Sequence, residues 1–204
     1  MILDKEFYSE DGLKVARKLL GKYLVREING EKLIGKIVET EAYLCTNDLA
    51  AHSNNYKKTE RTKPLFEEGG VSYVYLIYGM HNCFNISANK VGEPDCVLIR
   101  AIEPIEGLDY MAKSRYNKKY DEITNKEVIN LTSGPSKLCK ALSIDRSLNF
   151  DRVYIKGNIY VVDNKEEFEI ESSKRIGIDY AKEAKDYNYR FFIKDNKFVS
   201  KAKK

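Results

Sequence analysis

Gly35-Lys36-Ile37-Val38-Glu39-Thr40-Glu41-Ala42-Tyr43-Leu44 is the stretch that decides how this chain reads. It is rich in β-branched residues, and its acidic residues stand two apart, the repeat of a strand rather than of a helix. Alternation puts Ile37, Glu39, Glu41 and Tyr43 on one face and Lys36, Val38, Thr40 and Ala42 on the other. Burying unpaired charge is costly. Two carboxylates and a tyrosine side by side therefore suit either a solvated outer face or a pocket wall, where a carboxylate does chemistry and a tyrosine packs against a ligand.

Upstream, Asp11 or Ser9 can cap a short helix carrying Leu13, Val15, Ala16, Leu19 and Leu20, stopped by Gly21. Tyr23–Ile28 reads as a strand, and Asn29-Gly30 as a two-residue hairpin turn, because both central positions favour positive φ. The return strand runs directly into the opening stretch. Glu41 and Tyr43 thus lie where a strand gives way to a loop, a common place for function on a rigid scaffold. Residues 45–70 show no clean periodicity, and long loops of this kind tend to be functional or disordered. His52 lies in this loop, shortly after Glu41 and Tyr43.

Downstream, residues 72–87 read as a hairpin turning near Gly79. Tyr73, Tyr75 and Ile77 share a face, and Tyr78 falls at the tip, where a bulky amphipathic ring invites a partner. Residues 96–102 are nearly all apolar and should form a central, buried strand. Arg100 in its middle demands a partner, and Glu39 or Glu41 would serve. Glu103-Pro104 is expected to end the strand. Residues 107–120 read as a helix with a basic outer face. Ser133 can cap a second helix with Pro135 in its first turn, where backbone N–H groups, Ser136 and Lys137 offer a phosphate site. Residues 153–155 and Ile159–Val162 flank Gly157-Asn158 as a further hairpin, and Arg190–Ile193 reads as a last strand.

With 204 residues, 43% hydrophobic and 32% charged, the chain reads as one globular domain over residues 1–204. No apolar run approaches a membrane span, and no apolar segment follows the charged N-terminus as in a signal peptide, so a cytoplasmic protein is expected. Four scattered cysteines and two histidines give a zinc site little to draw on, and buried thiols are expected. The net charge of +4 is mild, but positive charge gathers in residues 57–63, 113–119 and 201–204.

Several motifs converge in order along the chain: Val38-Glu39-Thr40-Glu41-Ala42-Tyr43, Ala51-His52-Ser53, Tyr75-x-x-Tyr78-Gly79-Met80, Asn85-Ile86-Ser87, Leu98-Ile99-Arg100-Ala101-x-Glu103-Pro104, Ser133-Gly134-Pro135-Ser136-Lys137-Leu138 and Arg175-Ile176-Gly177-Ile178. Each is weak alone. As an ordered set they resemble the alkyladenine (3-methyladenine) DNA glycosylase family over nearly the whole chain. The resemblance implies an α+β fold: a single mixed domain with a curved, largely antiparallel β-sheet, flanking helices and a protruding hairpin. It implies a monomeric base-excision repair enzyme acting on double-stranded DNA with damaged purines, without a metal or other cofactor.

The same resemblance assigns roles. Glu41 is implied as the general base that activates water, with Arg100 helping to hold that water and the Ile176 carbonyl touching it. Tyr43, His52 and Tyr75 are implied as the pocket for a flipped base, and Asn85 as the residue that crowds the exocyclic amine of guanine. Tyr78 is implied as the wedge in the duplex, with Met80 beside it. Where the family has Gly-Glu-Trp, this chain has Lys182-Glu183-Ala184.

Elementary chemistry agrees with these roles. A base inside a duplex must be extruded before it can be attacked, and stacking on aromatic rings recovers part of the cost. Cleavage of the N-glycosidic bond develops positive charge on the sugar, which a carboxylate stabilises while taking a proton from water. An alkylated, positively charged purine is already a good leaving group. Two rivals are a non-catalytic nucleic-acid-binding module of the same fold and a hydrolase acting on free nucleosides.

Overall fold

The computed structural model describes residues 1–201; residues 202–204 of the basic tail lie outside the described residues. The fold is built on one long strand. β1 (Tyr23–Ile28) and β2 (Glu31–Tyr43) form a hairpin through Asn29 and Gly30, whose φ angles of 51° and 79° are those of a type I′ turn. β3 (Ser72–Ile77) and β4 (His81–Ala88) make a second hairpin, followed by β5 (Asp95–Glu106), β6 (Ile159–Val162), β7 (Ile170–Ser173) and β8 (Arg190–Ile193). All eight strands join one antiparallel sheet: six run in the order β3-β4-β5-β2-β1-β6, and β8 and β7 branch from β2.

β2 is thirteen residues long, and its two edges are used differently. β5 runs along one edge. The other edge is shared in succession by β1, which pairs with residues 31–36, and by β8, which pairs with residues 39–41. β7 then adds to β8. The opening stretch is thus flanked by β5 and β8, each of which supplies an arginine.

Strand parity holds from Glu39 onward and fails just before it. The β2–β5 register passes from Ile37↔Ile102 to Glu39↔Ala101 and then to Thr40↔Ile99. Val38 is the extra residue on β2, and Arg100 is the extra residue on β5. This pair of bulges puts Ile37 and Val38 together in the main core, so Ile37 does not share the face of Glu39, Glu41 and Tyr43. On the core side, Thr40 Oγ1 donates to the Ala16 carbonyl at 2.9 Å. That carbonyl belongs to α1 (Gly12–Leu19), whose Val15, Ala16 and Leu19 are buried and whose first turn is capped by Asp11.

Four further expectations are corrected. Pro104 does not end β5, because it pairs with Gly35 next to a register shift, where a missing N–H is tolerated. The helix expected over residues 107–120 is α2 (Leu108–Tyr116), closed early by Asn117 in the left-handed region at φ 57°. Residues 153–155 form no strand; β6 pairs with β1 instead. α3 (Asn125–Ile129) is a short capped turn. α4 (Pro135–Ala141) packs on β4 and β5, with Gly134 rather than Ser133 at its N-cap. Ser133 bridges to Ala101. No helix among the described residues is long and apolar enough to cross a membrane.

Candidate active site

Beneath the β3–β4 hairpin lies a cavity of about 380 Å³, within the usual range for ligand pockets. It is walled by Tyr43 of β2, Tyr73 and Tyr75 of β3, His52 of the long loop, and Ile176 and Tyr180 of the segment after β7. Asn85, Leu98 and Arg100 also face it, and Tyr78 stands at its mouth.

Two buried carboxylates sit behind this wall, and their surroundings separate them. Glu41 has no exposed surface. Its Oε1 accepts from the Ile176 backbone N–H at 2.8 Å, and its Oε2 accepts from the Tyr43 hydroxyl at 2.8 Å. Arg100 Nη1 lies 3.2 Å from the same Oε2. All three partners line the cavity. Burial beside Glu41 raises the Tyr43 phenol well above its ordinary value, so it remains a donor.

Glu39 is turned toward the scaffold. Its Oε1 accepts from Arg100 Nε at 2.8 Å, Arg190 Nε at 2.7 Å and Ser200 Oγ at 2.8 Å, and its Oε2 accepts from the Ser200 N–H at 2.7 Å. Burial opposes its charge, but Arg100 and Arg190 outweigh burial and hold the carboxyl below its usual range. The sequence left Glu39 and Glu41 open as partners for Arg100. The guanidinium takes both. Two carboxylates and two arginines balance, as a buried cluster requires. The bulge at Arg100 lets one side chain face both acids.

The aromatic wall is ordered from within. His52 Nδ1 shares a hydrogen bond of 2.9 Å with the Tyr73 hydroxyl, and its ring meets Tyr75 edge-on at 4.7 Å. Burial, with nearby Arg61, holds the His52 imidazole down at about 4, so it is neutral near pH 7. Asn85 is anchored through Nδ2 to the Tyr73 and Cys83 carbonyls at 3.0 and 3.3 Å.

The hairpin tip is the opposite of this packed interior. Tyr78 is 88% exposed and Met80 71% exposed. Tyr78 and Gly79 have φ angles of 53° and 71°, and the Met80 N–H closes the turn onto the Ile77 carbonyl. An aromatic residue held in the left-handed region is strained by roughly 1–2 kcal/mol.

Of the proposed backbone-contact residues, Ser136 borders a groove with Met80 and Arg115, whereas the Lys137 ammonium is tied to Asn130 Oδ1 at 2.6 Å. Sequence reasoning assigned no role to Asp48, Arg175, Tyr180, Arg190 or Ser200. Arg175 did stand inside the Arg175-Ile176-Gly177-Ile178 motif, and Asp48 three residues before Ala51-His52-Ser53. Tyr180 gave no signal, though it lines the cavity and is 68% exposed.

Comparison with known proteins agrees with this geometry. The family model described as methylpurine-DNA glycosylase matches residues 6–197. A Clostridium novyi (strain NT) protein is 57% identical over 199 residues, covering 98% of each chain. A Clostridium botulinum (strain Alaska E43 / Type E3) protein is 52% identical over 201 residues, covering 98% of this chain and all of its own. Both carry the name "Putative 3-methyladenine DNA glycosylase". By a match spanning nearly its whole length, the chain belongs to the methylpurine-DNA glycosylase family.

Proposed function

We propose that this DNA glycosylase draws an alkylated or deaminated purine of the 3-methyladenine, hypoxanthine and ethenoadenine class out of duplex DNA into the cavity below Tyr78. There it hydrolyses the N-glycosidic bond with a water activated by Glu41, leaving an abasic site. The observation that carries this reading is the placement of the Glu41 carboxylate, bonded at once to Arg100, Tyr43 and Ile176, three residues that line the cavity.

In this mechanism the flipped purine lies against Tyr43, Tyr75 and His52. An electron-poor, alkylated ring stacks well on electron-rich phenols, and that preference supports selection against normal bases. Asn85 is held by two carbonyls and cannot swing aside, so an exocyclic amine brought against it is crowded. As the glycosidic bond lengthens, positive charge grows on the sugar. A fixed carboxylate stabilises that charge without reorganising, and general-base assistance by Glu41 adds about 10²–10⁴-fold. Tyr78 fills the gap left in the stack.

One observation favours a second reading, a DNA-binding module without turnover: Glu41 has no exposed surface, and the Tyr43 hydroxyl occupies its Oε2. Duplex DNA carrying 1,N6-ethenoadenine, hypoxanthine or 3-methyladenine separates the two. The glycosylase reading expects free base from at least one lesion. DNA binding with no base released from any of them overturns it and leaves the binding module.

A further inference from the structure

The Asp48–Arg175 ion pair lies outside the catalytic cluster just described. Both side chains are fully buried. Arg175 Nη1 donates to Asp48 Oδ2 at 2.6 Å and Nη2 to Oδ1 at 2.7 Å, a bidentate fork. Each partner also holds backbone from elsewhere. Asp48 accepts from the Leu44 and Ala50 N–H groups at 3.0 and 3.1 Å. Arg175 donates to the Ala42 carbonyl at 2.9 Å and the Ala184 carbonyl at 3.1 Å. Its guanidinium carbon lies 4.6 Å from the centre of the Tyr43 ring. The next residue, Ile176, presents its N–H to Glu41.

We infer that Asp48 and Arg175 are positioning residues: their fork sets the Tyr43 ring, the loop bearing His52 and the Ile176 N–H in one fixed relation, and so holds both the stacking wall and the Glu41 carboxylate in reacting geometry. This rests on the glycosylase reading above. The pair joins the end of β2, the 45–52 loop and the segment after β7, three pieces with no other shared ion pair among the described residues. Stability alone accounts poorly for it, because a buried pair is often replaceable by apolar residues without loss. Arg175 Nε is also buried with no partner among the described residues, a penalty that a purely stabilising contact would avoid. The contact to Ala184 is made through backbone, so it survives the departure from the family pattern at Lys182-Glu183-Ala184.

Arg175→Lys keeps the charge and most of the stem but loses the planar fork. The test measures single-turnover release of 1,N6-ethenoadenine from duplex DNA, with active sites counted from the reaction amplitude, beside the emission of the bound lesion as it stacks. The clamp predicts a rate constant per active site lower by roughly 10²-fold, the cost of a misplacement near 1 Å, a weaker emission change than in wild type, and unchanged affinity for undamaged duplex. A wild-type rate constant per active site, whatever the amplitude, overturns the inference. Asp48→Asn repeats the test if Arg175→Lys does not fold, and failure of both to fold assigns the pair to stability and overturns it too. If wild-type protein binds the lesion and shifts its emission but releases no base, the glycosylase reading fails; the clamp is then judged by emission alone, and Arg175→Lys matching wild type there overturns it.

Discussion

The floor of the cavity and the tip of the hairpin are built on opposite terms. At the floor, both oxygens of Glu39 and of Glu41 are partnered, and neither residue has exposed surface. At the tip, Tyr78 and Met80 stand in solvent, and Gly79 has open space around it. The floor is complete in itself, so in the proposed mechanism its charges would need no reorganisation when positive charge develops on the sugar. The tip is incomplete by itself. It holds a strained aromatic residue that is left almost entirely in solvent. In the proposed mechanism the contrast divides the work: the floor would act on the bond, and the tip on the duplex.

Removing the negative charge at the base of the floor should have the largest effect. Glu39→Ala leaves the buried Arg190 without a carboxylate and takes one of two from Arg100, which keeps Glu41, and is expected to lower the unfolding free energy by about 3–5 kcal/mol in urea titration. A loss below about 1 kcal/mol would place Glu39 in the class of exposed, weakly coupled pairs.

At the tip, Tyr78→Ala should leave stability unchanged and slow base release from a paired lesion by about 10-fold or more, the worth of one stacking aromatic. Release from the same lesion in a bulge should suffer less, because no pair has to be broken. Equal losses on both substrates would remove the division between tip and floor.

The pH dependence of stability separates His52 in the cavity wall from Glu39 in the floor. His52 is held at about 4 against an ordinary 6.5, so the unfolded chain takes up its proton first as pH falls. Its effect is a loss of stability between pH 6.5 and about 4, levelling below. Glu39 behaves in the other window. Its folded value is depressed, so its contribution is full above the ordinary carboxylate value of 4.5 and fades as pH falls through the folded value. His52→Gln should flatten the upper window and leave the lower one intact, as read from unfolding curves across pH. Gly79→Ala should be smallest. It meets nothing within 4 Å but sits at φ 71°, so roughly 1 kcal/mol of backbone strain is expected.

What the sequence made legible was local. Asn29-Gly30 and Tyr78-Gly79 carry their own turn chemistry, and both hairpins stand where that chemistry places them. The two-residue spacing of Glu39, Glu41 and Tyr43 also survives as one face. What was hidden depends on pairing between distant segments. No residue nearby announces that Val38 and Arg100 are the extra residues of two successive bulges, yet that irregularity moves Ile37 into the core and lets one guanidinium face two acids. Arg190 and Ser200 reach Glu39 from over 150 residues away in sequence, and Asp48 meets Arg175 across 127. Pro104 misled for a related reason, since its missing N–H matters only opposite a regular partner.

Of the two buried carboxylates, Glu41 and not Glu39 is proposed to act on the glycosidic bond. The most direct test of that assignment is single-turnover release of a lesion base by Glu41→Gln, with active sites counted and duplex affinity measured alongside. A rate constant per active site lower by about 10²-fold or more is expected, with affinity kept. Release at the wild-type rate per active site would contradict it.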